Sequence, residues 1–347
     1  EVLANEIVDA INQYNLDGVN IDLENLSSKD KDSLTNFMKV LREKMPEEKI
    51  LSIAVASNPN HLTTTWVAAY DYKKLAKYAD YLVLMAYDEH SQGGAAGPVA
   101  SINFVEESVK AILEEVSRDK VVLGLPLYGR FWKADADVGG EAIVMAQVEK
   151  IASKYKNAVP RYNEYTGTAV LTIDVRENDK KAFVNGRLLE EGTYTIWYEN
   201  ETSIRRKLAV MNQYGLKGAA LWAIGNEGNN FWNYYAKGFK DANYESEASI
   251  NERNYYEEVE RVMQYVEPLK VDGIRNENEE IMREINTLAI LNIDIIIPQV
   301  KKGVHSPEDK KQEMDEPFLT KEKVMTIEKE ERDSKKIAII HLVKRCF

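Results

Sequence analysis

The sequence predicts an α/β protein built as a (β/α) barrel. Apolar runs of strand length alternate with helical patterns, and polar or aromatic side chains close several of these runs. Alternating strands and helices imply a parallel sheet, which can be a barrel or an open doubly wound sheet. An open nucleotide-binding sheet requires a glycine-rich phosphate turn after its first strand, and the sequence has neither Gly-x-Gly-x-x-Gly nor a Walker-type run. Polar and aromatic side chains at the carboxyl ends of the strands are typical of a barrel, which builds its active site there.

The first predicted strand reads Asp17-Gly18-Val19-Asn20-Ile21-Asp22-Leu23-Glu24. Side chains of a strand alternate between its two faces, so Asn20, Asp22 and Glu24 share one face. Parallel strands covered by helices are usually apolar throughout. An exposed edge strand, with one face in contact with solvent, is the ordinary explanation of such a short alternating run. The strands that follow favour instead a set of polar groups that points into a site.

Four further strands are predicted at residues 50–56, 81–87, 121–128 and 218–224. Helical patterns lie between them at residues 72–78, 105–116 and 203–214. Right-handed crossovers between successive parallel strands place the carboxyl ends of all these strands at the same edge of the sheet. Glu24, the Tyr87-Asp88 pair and Trp222 close strands at that edge, where a barrel builds its active site.

These motifs resemble glycoside hydrolase family 18, the chitinase-like glycosidases. Residues 17–24 match its fourth-strand signature, Asp-Gly-x-Asp-x-Asp-x-Glu, except at Asn20. Met85-Ala86-Tyr87-Asp88 is similar to the sixth strand, residues 124–130 to the seventh and residues 218–222 to the eighth. More narrowly, residues 18–25 and 87–98 resemble a bacterial branch that includes spore-cortex and cell-wall N-acetylglucosaminidases.

The resemblance implies a TIM-type (β/α)8 barrel of which residues 1–240 supply strands 4 to 8. The chain begins inside the helix before the fourth strand, so we expect a truncated N-terminus with three strands upstream. Between the seventh and eighth strands, residues 131–201 predict a small α+β insertion, with a helix over residues 141–155 and a hairpin at Asn185-Gly186. Residues 241–347 predict a charged extension, mostly helical or disordered, of unknown role.

Glu24 is the predicted general acid, because glycosidases need a protonated carboxyl to donate to the leaving oxygen. The neighbouring Asp22 raises the proton affinity of Glu24 and helps it to stay protonated. In family 18 the substrate's own 2-acetamido group attacks the anomeric carbon. The resemblance implies that Asp22 orients and polarises this acetamide and that Tyr87 hydrogen-bonds its carbonyl oxygen.

Five further residues are predicted to bind substrate, each with a structural alternative: Asn20, Met85, Asp88, Tyr128 and Trp222. Trp222 matches the family's sugar-stacking floor, although large aromatic residues in strands usually fill cores. Asn20 keeps a hydrogen bond but cannot titrate, so we expect Asp22 to lose one route for proton relay and the pH optimum to shift. For Arg130, a structural salt bridge is at least as good an explanation as sugar contact. In the insertion, aromatic residues either stack on sugars or form a core: Tyr162, Tyr165, Trp197 and Tyr198.

The composition fits a carbohydrate enzyme. Of 347 residues 44% are hydrophobic, and the net charge of −12 disfavours nucleic acid as a partner. A single cysteine, Cys346, excludes internal disulfides, and no apolar run is long enough to span a membrane. We expect no cofactor and no metal, since His90 is the only histidine near the motifs.

The sequence therefore predicts a glycosidase that cleaves β-1,4 linkages at N-acetylglucosamine in chitin or peptidoglycan, with retention. From the resemblance we expect it outside the cell, in the cell wall or in the spore envelope. Two alternatives remain: a lectin-like, non-catalytic relative that binds carbohydrate, and a fragment that is inactive on its own.

Overall fold

A computed structural model of the chain describes residues 1–134, 136, 138–241, 243–244, 246, 249–251, 253–257, 261 and 337–340. Its centre is a curled parallel sheet, a TIM-barrel-like half-barrel. Six strands follow one another in the spatial order β1-β2-β3-β4-β12-β13. They are β1 (Gly18–Ile21), β2 (Ile50–Ala56), β3 (Tyr81–Met85), β4 (Val121–Pro126), β12 (Gly218–Trp222) and β13 (Ile337–Ile340).

Helices cover one face of this sheet. They are α1 (Val2–Gln13), α2 (Lys31–Lys44), α3 (Tyr72–Tyr78), α4 (Ile102–Leu113), α6 (Glu201–Tyr214) and α7 (Phe231–Lys240). The large core forms between helices and sheet, where Leu51, Ile53 and Val55 of β2 are fully buried. The residues between them, Ser52 and Ala54, therefore face the concave side of the sheet.

The concave face has a small cluster of its own, formed by Tyr81, Val83, Val122 and Ala220. Its side chains come from β3, β4 and β12, and they alternate with residues of the large core. The pattern separates a helix-covered side from an inner side. Side chains at the carboxyl end of the concave face are therefore in the position where barrels build their active sites.

A second sheet is antiparallel, with the order β6-β5-β11-β8-β7. Its strands are β5 (Tyr128–Lys133), β6 (Glu141–Val144), β7 (Val159–Asn163), β8 (Thr168–Val175) and β11 (Gly192–Tyr198). Helix α5 (Met145–Lys154) packs on it, and β9 (Phe183–Val184) and β10 (Arg187–Leu188) form a separate hairpin. Asn185 and Gly186 both have positive φ, as the hairpin turn requires.

Four features differ from the sequence predictions. The first strand is shorter than the predicted residues 17–24, because β1 ends at Ile21 and Asp22 and Glu24 follow it in a loop. Residues 141–144 are the strand β6, paired with β5, so the helix predicted over residues 141–155 begins only at Met145. The parallel sheet has one strand more than the five predicted, because residues 337–340 pair in parallel with β12. The antiparallel sheet also begins at Tyr128, directly after β4, rather than at residue 131.

The predicted extension starts with a docked segment. Residues 249–251 and 253–257 are helical, and Tyr256 stacks on Tyr162 of the antiparallel sheet, with ring centroids 6.2 Å apart. Tyr256 also accepts a hydrogen bond from Asn200, which caps α6. The described part of the extension is thus part of the fold. Most of residues 258–347 lie outside the described residues.

Candidate active site

The two predicted acids lie directly after β1, at its carboxyl end. Strand β1 ends at Ile21, so Asp22 and Glu24 stand at the rim of the sheet. The partner strand β2 pairs with β1 in parallel, with Ser52 opposite Asn20. Asn20 therefore lies on the concave side, beside Ser52 and two residues before Asp22.

Glu24 has the electrostatics that a general acid needs. Its pKa is raised by partial burial, and further by the charges of Asp22 and Asp88. All three effects disfavour the ionised form. The carboxyl therefore holds its proton to a higher pH than an ordinary glutamate.

Tyr87 follows β3 and lies within electrostatic range of both acids. Burial raises its pKa, and the charges of Asp22, Asp88 and Glu24 raise it further. Its hydroxyl thus stays protonated and can donate a hydrogen bond. The ring lies against Gly124 of β4, where an added Cβ would come within 3.0 Å of Cε1 of Tyr87. Gly124 therefore leaves the space that this ring occupies.

Asp88 is held by two residues of β5. Its Oδ1 accepts hydrogen bonds from the Tyr128 hydroxyl at 2.8 Å and from Nη2 of Arg130 at 2.7 Å. Arg130 also donates to the carbonyl of Gly140 and lies over the Tyr128 ring. The structural salt bridge expected for Arg130 is thus present. Burial raises the pKa of the Tyr128 hydroxyl, and the Asp88 carboxylate, to which this hydroxyl donates, raises it further.

Met85 and Trp222 end their strands as the sequence predicts. Met85 is the last residue of β3 and is 7% exposed. Trp222 is the last residue of β12, beside Pro126 of β4, and its carbonyl accepts a hydrogen bond from the Leu127 N–H. The peptide bond between Trp222 and Ala223 is cis. Both side chains therefore lie at the same edge of the sheet as the acids.

Two aromatic residues at the site were missed by sequence reasoning. Tyr70 follows a short 3-10 helix after β2 and donates its hydroxyl to the carbonyl of Leu23, at 2.9 Å. Burial raises the pKa of Tyr70 to about 12, with contributions from Glu24 and Asp22. Trp66 packs edge-on against Tyr70 and is 50% exposed. Neither residue belongs to a motif; the available signal was their place in the segment that follows a barrel strand.

The aromatic residues of the antiparallel sheet divide between the two explanations that the sequence left open. Tyr162 and Tyr198 are buried in the core of that sheet. Tyr165 is 80% exposed, and Trp197 lies between these extremes. Core packing accounts for Tyr162 and Tyr198, and sugar stacking stays a prediction for the other two.

Within the described ranges, no cluster of three or more histidine, cysteine, aspartate or glutamate side chains could hold a metal ion. The helices in the part of the chain that the structure describes are too short or too polar to cross a bilayer.

Several known proteins are similar to this chain in sequence and in fold. Glycosylase YvbX of Bacillus subtilis (strain 168) is 28% identical over 238 residues, which are 68% of this chain and 65% of YvbX. The cortical fragment-lytic enzyme of the same organism is 26% identical, over 64% of this chain and 50% of that enzyme. A chitinase from Chromobacterium violaceum ATCC 12472 has a similar structure, with a TM-score of 0.58 and 27% identity over 68% of this chain and 70% of its own.

The chain spans about half to two thirds of the length of these curated relatives. The model of the glycosyl hydrolases family 18 matches residues 1–227, which include β1 to β12 and all of the motifs at the strand ends. This chain belongs to glycosyl hydrolases family 18.

Proposed function

We propose that the chain is a glycoside hydrolase that cleaves β-1,4 linkages at N-acetylglucosamine by a substrate-assisted, retaining mechanism. The observation that carries the proposal is the position of Asp22 and Glu24 directly after β1, at the carboxyl end of the parallel sheet, where burial and the charges of Asp22 and Asp88 raise the pKa of Glu24. A carboxyl that stays protonated next to one that carries charge is the usual division of labour in a glycosidase site.

Each step uses a named group. Glu24 donates its proton to the leaving glycosidic oxygen as the bond to the anomeric carbon breaks. The acetamide carbonyl oxygen of the same sugar attacks that carbon, with the Tyr87 hydroxyl donating to it and Asp22 accepting from the acetamide N–H. Glu24, now ionised, takes a proton from the water that opens the cyclic intermediate, so the configuration is retained.

Asn20, Met85, Asp88, Tyr128 and Trp222 form the rest of the proposed substrate site. Asp88 is suited to accept from a sugar hydroxyl or amide, because Tyr128 and Arg130 hold its carboxylate in place through Oδ1. A carboxylate held in this way loses little conformational entropy when a ligand arrives. Trp222 offers an aromatic surface at the end of β12.

The family and the relatives support the proposed substrate class. Glycosyl hydrolases family 18 act on polymers that contain N-acetylglucosamine, and a cortical fragment-lytic enzyme and a chitinase are both similar to this chain. We propose peptidoglycan or chitin as the substrate and the cell wall or spore envelope as the place of action. Residues 1–240 are the proposed catalytic part, with residues 131–201 as an insertion along the groove.

The test is Glu24→Gln with a chromogenic N-acetylglucosamine oligomer. Loss of one general acid costs about 100- to 10,000-fold in turnover, and binding of the oligomer should persist. Because the pKa of Glu24 is raised, its ionisation opposes folding above the ordinary glutamate pKa. Glu24→Gln should therefore raise the melting temperature at neutral pH and leave it nearly unchanged in acid.

Glu43→Gln is the matched control, since Glu43 lies on α2 in an exposed ion pair with Lys39. It should change neither turnover nor the pH dependence of melting. Equal turnover in Glu24→Gln and the unaltered chain would refute the assignment of the acid. Oligomer binding without turnover in the unaltered chain would favour the lectin-like alternative.

A further inference from the structure

The antiparallel sheet has one face in its own core and one face that this core leaves open. Along residues 169–175 and 194–198, buried side chains alternate with partly or fully exposed ones. The buried set, which includes Leu171 and Ile196, belongs to the same core as Val148 of α5. Because the side chains of a strand alternate between its two faces, the other set lies on the opposite face of the sheet.

Two tryptophans are neighbours on this open face. Trp197 of β11 is opposite Arg130 of β5 in the register of the sheet. Two residues along both strands, Thr195 is opposite Trp132. Trp132 and Trp197 are therefore diagonal neighbours, which are typically about 7 to 8 Å apart and within reach of aromatic side chains. Both side chains are partly exposed, so the sheet presents two accessible indoles side by side.

The open face adjoins the proposed active site through Arg130. Nη2 of Arg130 donates a hydrogen bond to Oδ1 of Asp88 at 2.7 Å. The charge of Asp88 in turn acts on Glu24. Trp197 is the neighbour of Arg130 on the next strand. A polymer that extends from the acids across Arg130 therefore reaches the two indoles next.

Trp132 is held in place by the backbone of two loops. Its Nε1 donates a hydrogen bond to the carbonyl of Gly94, in the segment between β3 and α4, at 3.0 Å. An added Cβ at Gly139 would overlap Cδ1 of the indole, and one at Gly140 would come within 3.1 Å of its Cζ2. The ring thus lies against backbone that carries no side chain. An aromatic ring fixed in this way loses little conformational entropy when a ligand binds.

Two threonines accompany the two rings and indicate the class of ligand. Thr195 is opposite Trp132 on one side and opposite Thr172 of β8 on the other. Aromatic faces with a few hydroxyl groups match a sugar ring, which offers apolar C–H groups on its face and hydroxyls at its edge. A nucleic acid would require cations for its phosphates, and Arg130, the cation opposite Trp197, is bound to Asp88.

We propose that Trp132 and Trp197 form a second subsite, which binds the sugar units of an N-acetylglucosamine polymer that lie beyond the unit held at the acids. The inference deepens the proposed function, on which the choice of ligand rests. A disaccharide fills the place at the acids and leaves the indoles uncovered, whereas a hexasaccharide covers both. The insertion thereby contributes affinity for long substrates.

The test measures binding to the full chain with Glu24→Gln, so that no oligomer is hydrolysed. Isothermal titration calorimetry compares the dimer of N-acetylglucosamine with the hexamer. Trp132→Ala and Trp197→Ala, each added to Glu24→Gln, should weaken hexamer binding about 10-fold and leave dimer binding unchanged, because each removes an aromatic anchor. Trp197→Phe should retain most of the affinity, since it keeps an aromatic face.

Phe183→Ala is the matched control, because Phe183 is 66% exposed on the separate hairpin of β9 and β10. It should change the affinity for neither oligomer. Equal losses for dimer and hexamer in the tryptophan variants would indicate a general effect on the fold and would overturn the inference. Hexamer binding that neither tryptophan variant changes would overturn it as well.

Hydroxyl-radical footprinting asks the same question without altering either tryptophan. With Glu24→Gln, the hexamer should reduce the oxidation of Trp132 and Trp197 severalfold, and the dimer should not. Undiminished oxidation of both indoles while the hexamer is bound would contradict the second subsite.

The two proposals fail separately. If the unaltered chain turns over no oligomer, but the hexamer binds and protects both indoles, the proposed function is refuted and the second subsite stands. If Glu24→Gln abolishes turnover while the bound hexamer leaves both indoles unprotected, the proposed function stands and the second subsite is refuted.

Discussion

The buried ion pair between Lys207 and Glu199 allows a quantitative prediction about stability. Glu199 follows β11, and Lys207 lies on α6, so the pair joins the antiparallel sheet to a barrel helix. Lys207 Nζ lies 2.7 Å from Oε2 of Glu199, and the two side chains are 0% and 1% exposed. Burial lowers the pKa of Lys207, and Glu199 opposes this. Oε1 of Glu199 has no hydrogen-bond partner among the described residues.

Lys207→Met should be strongly destabilising, because it leaves the Glu199 carboxylate buried and without its cation. Removing one partner of a buried pair costs about 3 to 5 kcal/mol. For a domain of this size each kcal/mol lowers the melting temperature by roughly 2 to 4 °C, so the expected loss is about 6 to 20 °C. The loss should be smaller in acid, where the carboxyl can take up a proton.

Lys207→Met/Glu199→Leu should recover most of the loss, because the carboxylate oxygen that lacks a partner disappears with its charge. The assay is thermal unfolding at neutral and acid pH. Lys110→Met is the control, since Lys110 is half exposed and pairs with Glu106 and Glu107 on the surface of α4. A loss below about 1 kcal/mol for Lys207→Met, as for an exposed pair, would refute the reasoning.

Three further predictions concern the site. Gly124→Ala should lower kcat on the order of 10- to 100-fold, because the new methyl group would lie 2.7 Å from the Leu84 carbonyl oxygen and 3.0 Å from the Tyr87 ring, so that the end of β3 and the ring must shift; unchanged kcat would contradict this. Asp88→Asn removes one of the charges that raise the pKa of Glu24, so the base-side midpoint of the residual activity should move to lower pH, and a midpoint that stays or rises would disprove it. Trp66→Ala should weaken oligomer binding about 2- to 10-fold with little change in melting temperature, and equal affinity would exclude a sugar contact.

The parallel strands could be predicted from the sequence because burial on both faces leaves a simple signal. Residues 50–56 are strand β2 throughout, and the predicted helix at residues 72–78 is α3. Residues 141–144 could not be assigned in this way. Their pairing with β5 depends on a partner strand rather than on the local pattern, which continues into the helix α5.

At the site, sequence reasoning found the residues that follow strands and missed those that act from loops. Asp22, Glu24 and Tyr87 belong to motifs at strand ends. In the structure the charge of Asp22 raises the pKa of Glu24, and the charges of both acids raise the pKa of Tyr87. Tyr70, whose pKa is raised by burial and by the charges of the same acids, lies in a segment without periodicity. Ser52 was also missed, because a single serine in an apolar strand gives no signal until its hydrogen-bond partner on the neighbouring strand, Asn20, is known.

The charges and the burial around Glu24 support its proposed role as the general acid. Three carboxyls lie close enough to affect one another: Asp22, Glu24 and Asp88. Asp88 has its charge matched by Arg130, at 2.7 Å. The pKa of Glu24, by contrast, is shifted by its own burial and by two carboxylates, which all act in the same direction. Burial and both neighbouring charges thus act together to keep the Glu24 carboxyl protonated, which supports the proposal that Glu24 is the general acid.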